Sequence, residues 1–145
     1  MDDRYELHDL VARYADAVCR RDEPAFAATW SENAVWQIPG APETHGRDQI
    51  VALWKGVMAH FPFVIQRMNN GTVTADGDSG TGRWYLSEHI RAEDGSGMIN
   101  IGVYQDRYTR TASGWQFAER RFSMLYHERQ TPSDNIITSP YPELI

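Results

Sequence analysis

Apolar residues follow a helical period through the first sixty or so positions and then alternate at the period of a strand. Leu7, Leu10, Val11, Tyr14 and Val18 form one stripe and predict a first helix from about residue 4. Arg13, Asp16 and Arg20 fall on its solvent side. Asp22 has the chemistry of an N-cap, with Glu23 and Pro24 in the first turn of a short second helix that buries Phe26 and Trp30. Ala34 to Ile38 predicts a short strand carrying Trp36, ended by Pro39-Gly40-Ala41-Pro42. Ile50, Leu53, Trp54, Val57, Met58 and Phe61 mark a third helix from about Arg47 to His60. Four strands follow near 63–75, 79–92, 97–111 and 114–127, joined by turns such as Asp76-Gly77-Asp78 and Ser113-Gly114.

Helices first and a strand meander afterwards predict an α+β fold, with helices on one face of a curved antiparallel sheet. The chain reads as one domain over 1–145: a body to about residue 129, then an extended tail over 130–145 laid on the body or on a neighbouring subunit. A sheet curled around a helix encloses a cavity, and its lining is where chemistry is to be sought.

Composition narrows the classes. The 14 Lys and Arg against 20 Asp and Glu give a formal charge of −6, and Arg20-Arg21 and Arg120-Arg121 do not make a phosphate-binding stripe, so nucleic acid is not an expected partner. A single cysteine, Cys19, excludes an intrachain disulfide, and the five histidines show no metal-ligand spacing. No metal and no cofactor is expected: phosphate-binding glycine loops and dinucleotide fingerprints are absent. The acidic N-terminus has no signal-peptide core and no apolar run reaches membrane length, so a soluble, cytoplasmic protein is expected.

Alternation sorts the strands into faces. Trp84, Leu86, Glu88 and Ile90 share one face, on which Glu88 is the odd member: a carboxylate there is paired, raised in pKa or set at a solvated strand end. Gln116, Ala118, Arg120, Phe122 and Met124 share a face of the last strand, making Arg120 a candidate anion anchor or mate for Glu88. Tyr85, Trp115 and Phe117 fall on outer faces and are candidates for an interface in a homo-oligomer, a dimer or a trimer.

Arg13-Tyr14-Ala15-Asp16-Ala17, Arg20-Arg21-Asp22, Trp30 to Trp36, Gly46 to Ile50, Asp76-Gly77-Asp78 and Gly114 to Arg121 together resemble the SnoaL-like branch of the nuclear-transport-factor-2-like superfamily. The resemblance implies a cone-shaped sheet wrapped around the first helix, three helices enclosing an apolar pocket, and likeness to scytalone dehydratase, bile-acid 7α-dehydratase and hexachlorocyclohexane dehydrochlorinase. Those enzymes act without a cofactor through a His–Asp pair. Here the resemblance puts Cys19 at the aspartate position and Gln66 at the histidine position, facing each other. Tyr14 is similar in position to the oxyanion-donating tyrosine of ketosteroid isomerases, which share the fold; Trp36 and Arg120 match pocket positions of the dehydrochlorinases, with Asn100, Gly102, Tyr104, Phe122 and Met124 along the same wall.

The expected function is a cofactor-independent lyase or isomerase, a cyclase included, acting on a small hydrophobic molecule, aromatic or polycyclic. Tyr14, Glu88 and Arg120 are the catalytic candidates, with Glu88 as base. Cys19, Trp36, Gln66, Trp84, Leu86, Asn100, Tyr104, Phe122 and Met124 are the substrate-binding candidates. Two alternatives stand beside it: a binding domain that keeps the cavity without the chemistry, motivated by the Cys19 and Gln66 exchange, and an accessory oligomerisation subunit.

Overall fold

The computed structural model describes residues 2–145 and holds three helices and six strands. Helix α1, Asp3–Arg20, starts where the Asp2 carboxylate accepts the Arg4 N–H at 2.9 Å. It buries Leu7, Leu10, Val11, Tyr14 and Val18, together with Ala15 and Ala17. Its C-cap, Arg21, lies in the left-handed region at φ 56°. The Arg21 guanidinium donates to the carbonyls of Met58 and Phe61, tying the end of α1 to the end of the third helix. Helix α2, Glu23–Ala28, is capped by Asp22, which accepts the Ala25 N–H at 2.9 Å. Helix α3, Arg47–Met58, ends two residues before the expected His60 and buries Ile50, Trp54 and Met58.

The strands are β1, Trp30–Gln37; β2, Thr44–His45; β3, Phe63–Asp76; β4, Ser79–Arg91; β5, Gly97–Thr111; and β6, Gly114–Gln130. They form one sheet in the order β2-β1-β6-β5-β4-β3. All pairings are antiparallel except β1 with β6, which is parallel. The sheet is therefore mixed and largely antiparallel. Strand β1 is longer than Ala34 to Ile38, and Trp30 opens it rather than belonging to α2. Local propensity could not show this, because β1 is fixed by pairing with a strand eighty residues away.

Three bulges in the antiparallel ladders set which side chains of β3 and β6 face inward. Asn69 is the extra residue opposite β4, and Ala118 and Leu125 are extra opposite β5. Each reverses the alternation beyond it. The Ala118 bulge turns Trp115 and Phe117 inward with Tyr108, where they are 3% and 0% exposed. The expectation that these two lie on an outer interface is thus corrected: they are core side chains, while Tyr85 alone of that set stays on the outer face.

The inner face serves two ends of the molecule. At one end α1 packs on β3, with Val73, Trp84, Leu86 and Tyr108 buried in the core; His8 packs edge-on against Trp84 at 4.9 Å between ring centroids. Close approach there requires glycine at Gly82, since a Cβ would strike the Tyr108 hydroxyl. At the other end α3, α2 and β1 close over the sheet, with Trp54 stacked on Phe26 at 4.1 Å. A cavity remains between them. Beyond Gln130 the chain has no regular structure and is largely exposed. No helix is long and apolar enough to cross a membrane.

Candidate active site

The cavity measures about 250 Å³. Val18, Trp54, Val57 and Met58 form its helical wall, with Phe61 just past α3, and Val64, Ile90, Met98, Phe122 and Met124 form its sheet wall. Trp36, Ile38 and Pro39 close the β1 side. Gly102 lets the Phe122 ring lie flat on the sheet, because a Cβ there would meet the ring directly. An apolar chamber of this size is below the roughly 300–1,000 Å³ of drug-sized ligands, so its volume leaves room for no more than a compact molecule.

One row of polar side chains crosses this lining. Gln66, Glu88, Asn100 and His127 are direct cross-strand neighbours on β3, β4, β5 and β6, and all four line the cavity. Gln66 Nε2 donates to Glu88 Oε2 at 3.3 Å, and Asn100 Nδ2 donates to Glu88 Oε1 at 3.1 Å. Asn100 Oδ1 lies 2.6 Å from His127 Nδ1. Each carboxylate oxygen thus receives one amide N–H and keeps acceptor capacity for a guest. Glu88 is paired by amides, not by Arg120.

A second polar feature is a pair of phenols. The Tyr14 and Tyr104 hydroxyls are 3.2 Å apart, and Trp36 Nε1 donates to Tyr104 Oη at 3.1 Å. Burial pushes both phenols up in pKa, so both keep their protons. The bond between them uses one of the two protons. The other has no acceptor among the described residues, which leaves the pair one hydroxyl donor for a guest in the cavity that both line.

Arg120 lies beneath this pair. It is fully buried and makes a two-pronged bond to Asp106, Nε to Oδ1 at 2.7 Å and Nη2 to Oδ2 at 3.1 Å. Its guanidinium sits 3.7 Å from the Tyr104 ring centroid, 4.2 Å from that of Phe117 and 4.5 Å from that of Tyr14. Tyr108 donates to Asp106 Oδ2 at 2.9 Å and accepts from Trp84 Nε1 at 2.9 Å. Burial pushes the Asp106 carboxyl up and opposes the charge on Arg120, yet Asp106 holds the guanidinium protonated above its ordinary value. Arg120 is a buried cation supporting the phenol pair from below, and it does not line the cavity.

The structure brings eight of the expected residues to one cavity: Tyr14, Trp36, Gln66, Glu88, Asn100, Tyr104, Phe122 and Met124. It leaves four outside the lining. Arg120 is taken by Asp106, and Trp84 and Leu86 are buried in the core outside the lining, Trp84 against His8 of α1. Cys19 does meet Gln66, but through the main chain: its Sγ is 3.4 Å from both the Gln66 nitrogen and oxygen. Burial pushes the Cys19 thiol up and disfavours a thiolate. His127 was not among the expected site residues. Regular alternation from Phe122 and Met124 sends it outward, and the Leu125 bulge brings it in.

A family model for the SnoaL-like domain matches residues 1–121, and the chain belongs to that family. It is 27% identical over 129 residues to gamma-hexachlorocyclohexane dehydrochlorinase of Sphingobium indicum, covering 85% of this chain and 81% of that protein. The crystal structure of a type 2 hexachlorocyclohexane dehydrochlorinase superposes with a TM-score of 0.81 at 23% identity, over 95% of this chain and 96% of that one. A scytalone dehydratase-like protein of Novosphingobium aromaticivorans superposes at 0.78 with 14% identity, over 91% and 93%. At such identities the two superpositions show the shared fold. The relatives of this chain thus include dehydrochlorinases, which are lyases.

Proposed function

We propose that this SnoaL-like chain is a cofactor-independent lyase that eliminates a leaving group from a compact hydrophobic molecule. The observation that carries this reading is Glu88, a carboxylate on the wall of an apolar cavity, held by two amide donors with lone pairs to spare. A Glu88 oxygen takes a proton from an acidic carbon of the substrate. The C–H electron pair forms a double bond to the adjacent carbon, and the leaving group departs with its own bonding pair. The free hydroxyl proton of the Tyr14 and Tyr104 pair is the donor for negative charge that develops on an oxygen or on the leaving group. Side chains of the cavity suffice for these steps, with Glu88 in place of the family's His–Asp pair.

Two probes test the reading: gamma-hexachlorocyclohexane, followed by chloride release, and 3-acetoxycyclohexanone, followed by the absorbance of cyclohexenone. Turnover of either that falls by about a hundredfold or more in Glu88→Gln supports Glu88 as the base. Turnover unchanged in Glu88→Gln removes it. The exchange of the dyad for Cys19 and Gln66 favours a second reading, a binding domain. Both probes held in the cavity with neither elimination nor solvent deuterium exchange would establish that reading instead.

A further inference from the structure

The row Gln66, Glu88, Asn100 and His127 contains one member that the proposed elimination does not use. His127 is exposed at the mouth of the cavity, near the end of β6, yet its Nδ1 makes the shortest bond of the row. The Leu125 bulge alone places it there. A surface histidine with no role would gain nothing from an irregularity that turns it toward a buried amide.

The bond directions fix its state. Asn100 is 3% exposed, and its amide has two different ends. The end facing Glu88 must be the N–H donor, because the carboxylate can only accept. The end facing His127 is therefore the carbonyl oxygen, and Nδ1 must carry a proton to donate to it. Nε2 remains an acceptor in the neutral ring, and Arg129 Nε donates to it at 3.4 Å. A flipped Asn100 would set an amide oxygen against the Glu88 carboxylate and an N–H against Nδ1–H, losing both bonds.

We infer that His127 is a positioning residue: held as the Nδ1–H tautomer, it locks the Asn100 amide so that its N–H faces Glu88 and the carboxylate faces the cavity. This rests on Glu88 being the base of the proposed reaction, but its structural half stands without that. The lock acts in the plane of the sheet from the strand opposite Gln66, so Glu88 is held from both sides by cross-strand neighbours. His127 itself need not touch the substrate.

The test uses His127→Phe, which removes the donor, and His127→Asn, whose amide N–H falls near the position of imidazole Nδ1. In the wild type, nitrogen NMR should show His127 as the Nδ1–H tautomer, and the Asn100 side-chain amide should show one proton shifted downfield by the carboxylate. His127→Phe should abolish that Asn100 signature and lower kcat for whichever probe is turned over about tenfold or more with little change in KM. His127→Asn should restore both, which a residue acting through its own titration would not allow. An Nε2–H tautomer, or an Asn100 signature and kcat unchanged in His127→Phe, would overturn the inference. Failure of Glu88→Gln to lose activity would strike the proposed reaction while leaving the Asn100 signature as the measure of the lock.

Discussion

Asp106→Asn should destabilise the chain severely while leaving its volume unchanged. Asp106 is 3% exposed and Arg120 is 0% exposed, and the pair is closed by two hydrogen bonds at 2.7 and 3.1 Å. Removing the negative charge leaves a guanidinium enclosed by Tyr14, Tyr104 and Phe117, with Nη1 already unpartnered. Stranding one partner of a buried pair costs about 3–5 kcal/mol. Asn keeps an oxygen for one prong, which points to the lower end, roughly 3 kcal/mol. For a chain of this size that is a fall in Tm of about 6–12 °C. Thermal and urea unfolding followed by tryptophan fluorescence measure it. Removing both charges, as in Asp106→Leu with Arg120→Met, should cost less than the two single changes summed, because no charge is stranded. A cost for Asp106→Asn under about 1 kcal/mol, or strict additivity in the double variant, would refute the reading of Arg120 as a structural cation that depends on Asp106.

Three further outcomes follow from the same geometry. Gly102→Ala should force the Phe122 ring off the sheet, costing about 1–3 kcal/mol of stability and shrinking the cavity, visible as weakened binding of gamma-hexachlorocyclohexane by calorimetry. Asp22→Ala should cost about 1 kcal/mol in urea unfolding, through loss of the α2 cap. Burial raises the pKa of Tyr14, Tyr104 and Tyr108, so their contribution is complete below the free phenol value of about 10 and is lost as pH rises beyond it. Tm should therefore fall steeply above about pH 10, and less steeply in Tyr108→Phe.

Helical stripes and turn chemistry are local signals, and they were legible: α1 and its five apolar positions, the Asp22 cap and the four long strands are in the structure as the pattern predicts. Glu88 stood out because a charged residue on an apolar strand face is a contradiction that only a partner or a cavity resolves. What the pattern could not convey is register. A single extra residue at Ala118 pairs Arg120 with Asp106 and buries Phe117, and another at Leu125 turns His127 inward. Bulges leave no mark on hydrophobic periodicity, so the partners of Arg120 and Asn100 were out of reach. Trp84 and Leu86 illustrate a different limit: alternation gives the face of a sheet, but not which of its buried positions border the cavity.

In the proposed reaction Glu88 removes a carbon-bound proton. Deuterium exchange into 3-acetoxycyclohexanone, followed by NMR in deuterated buffer, reads that step directly, alongside enone formation. The prediction is exchange or elimination in the wild type that drops by about a hundredfold or more in Glu88→Gln, with the probe still bound. Equal rates in the two proteins, or a bound probe whose protons never exchange in either, would contradict it.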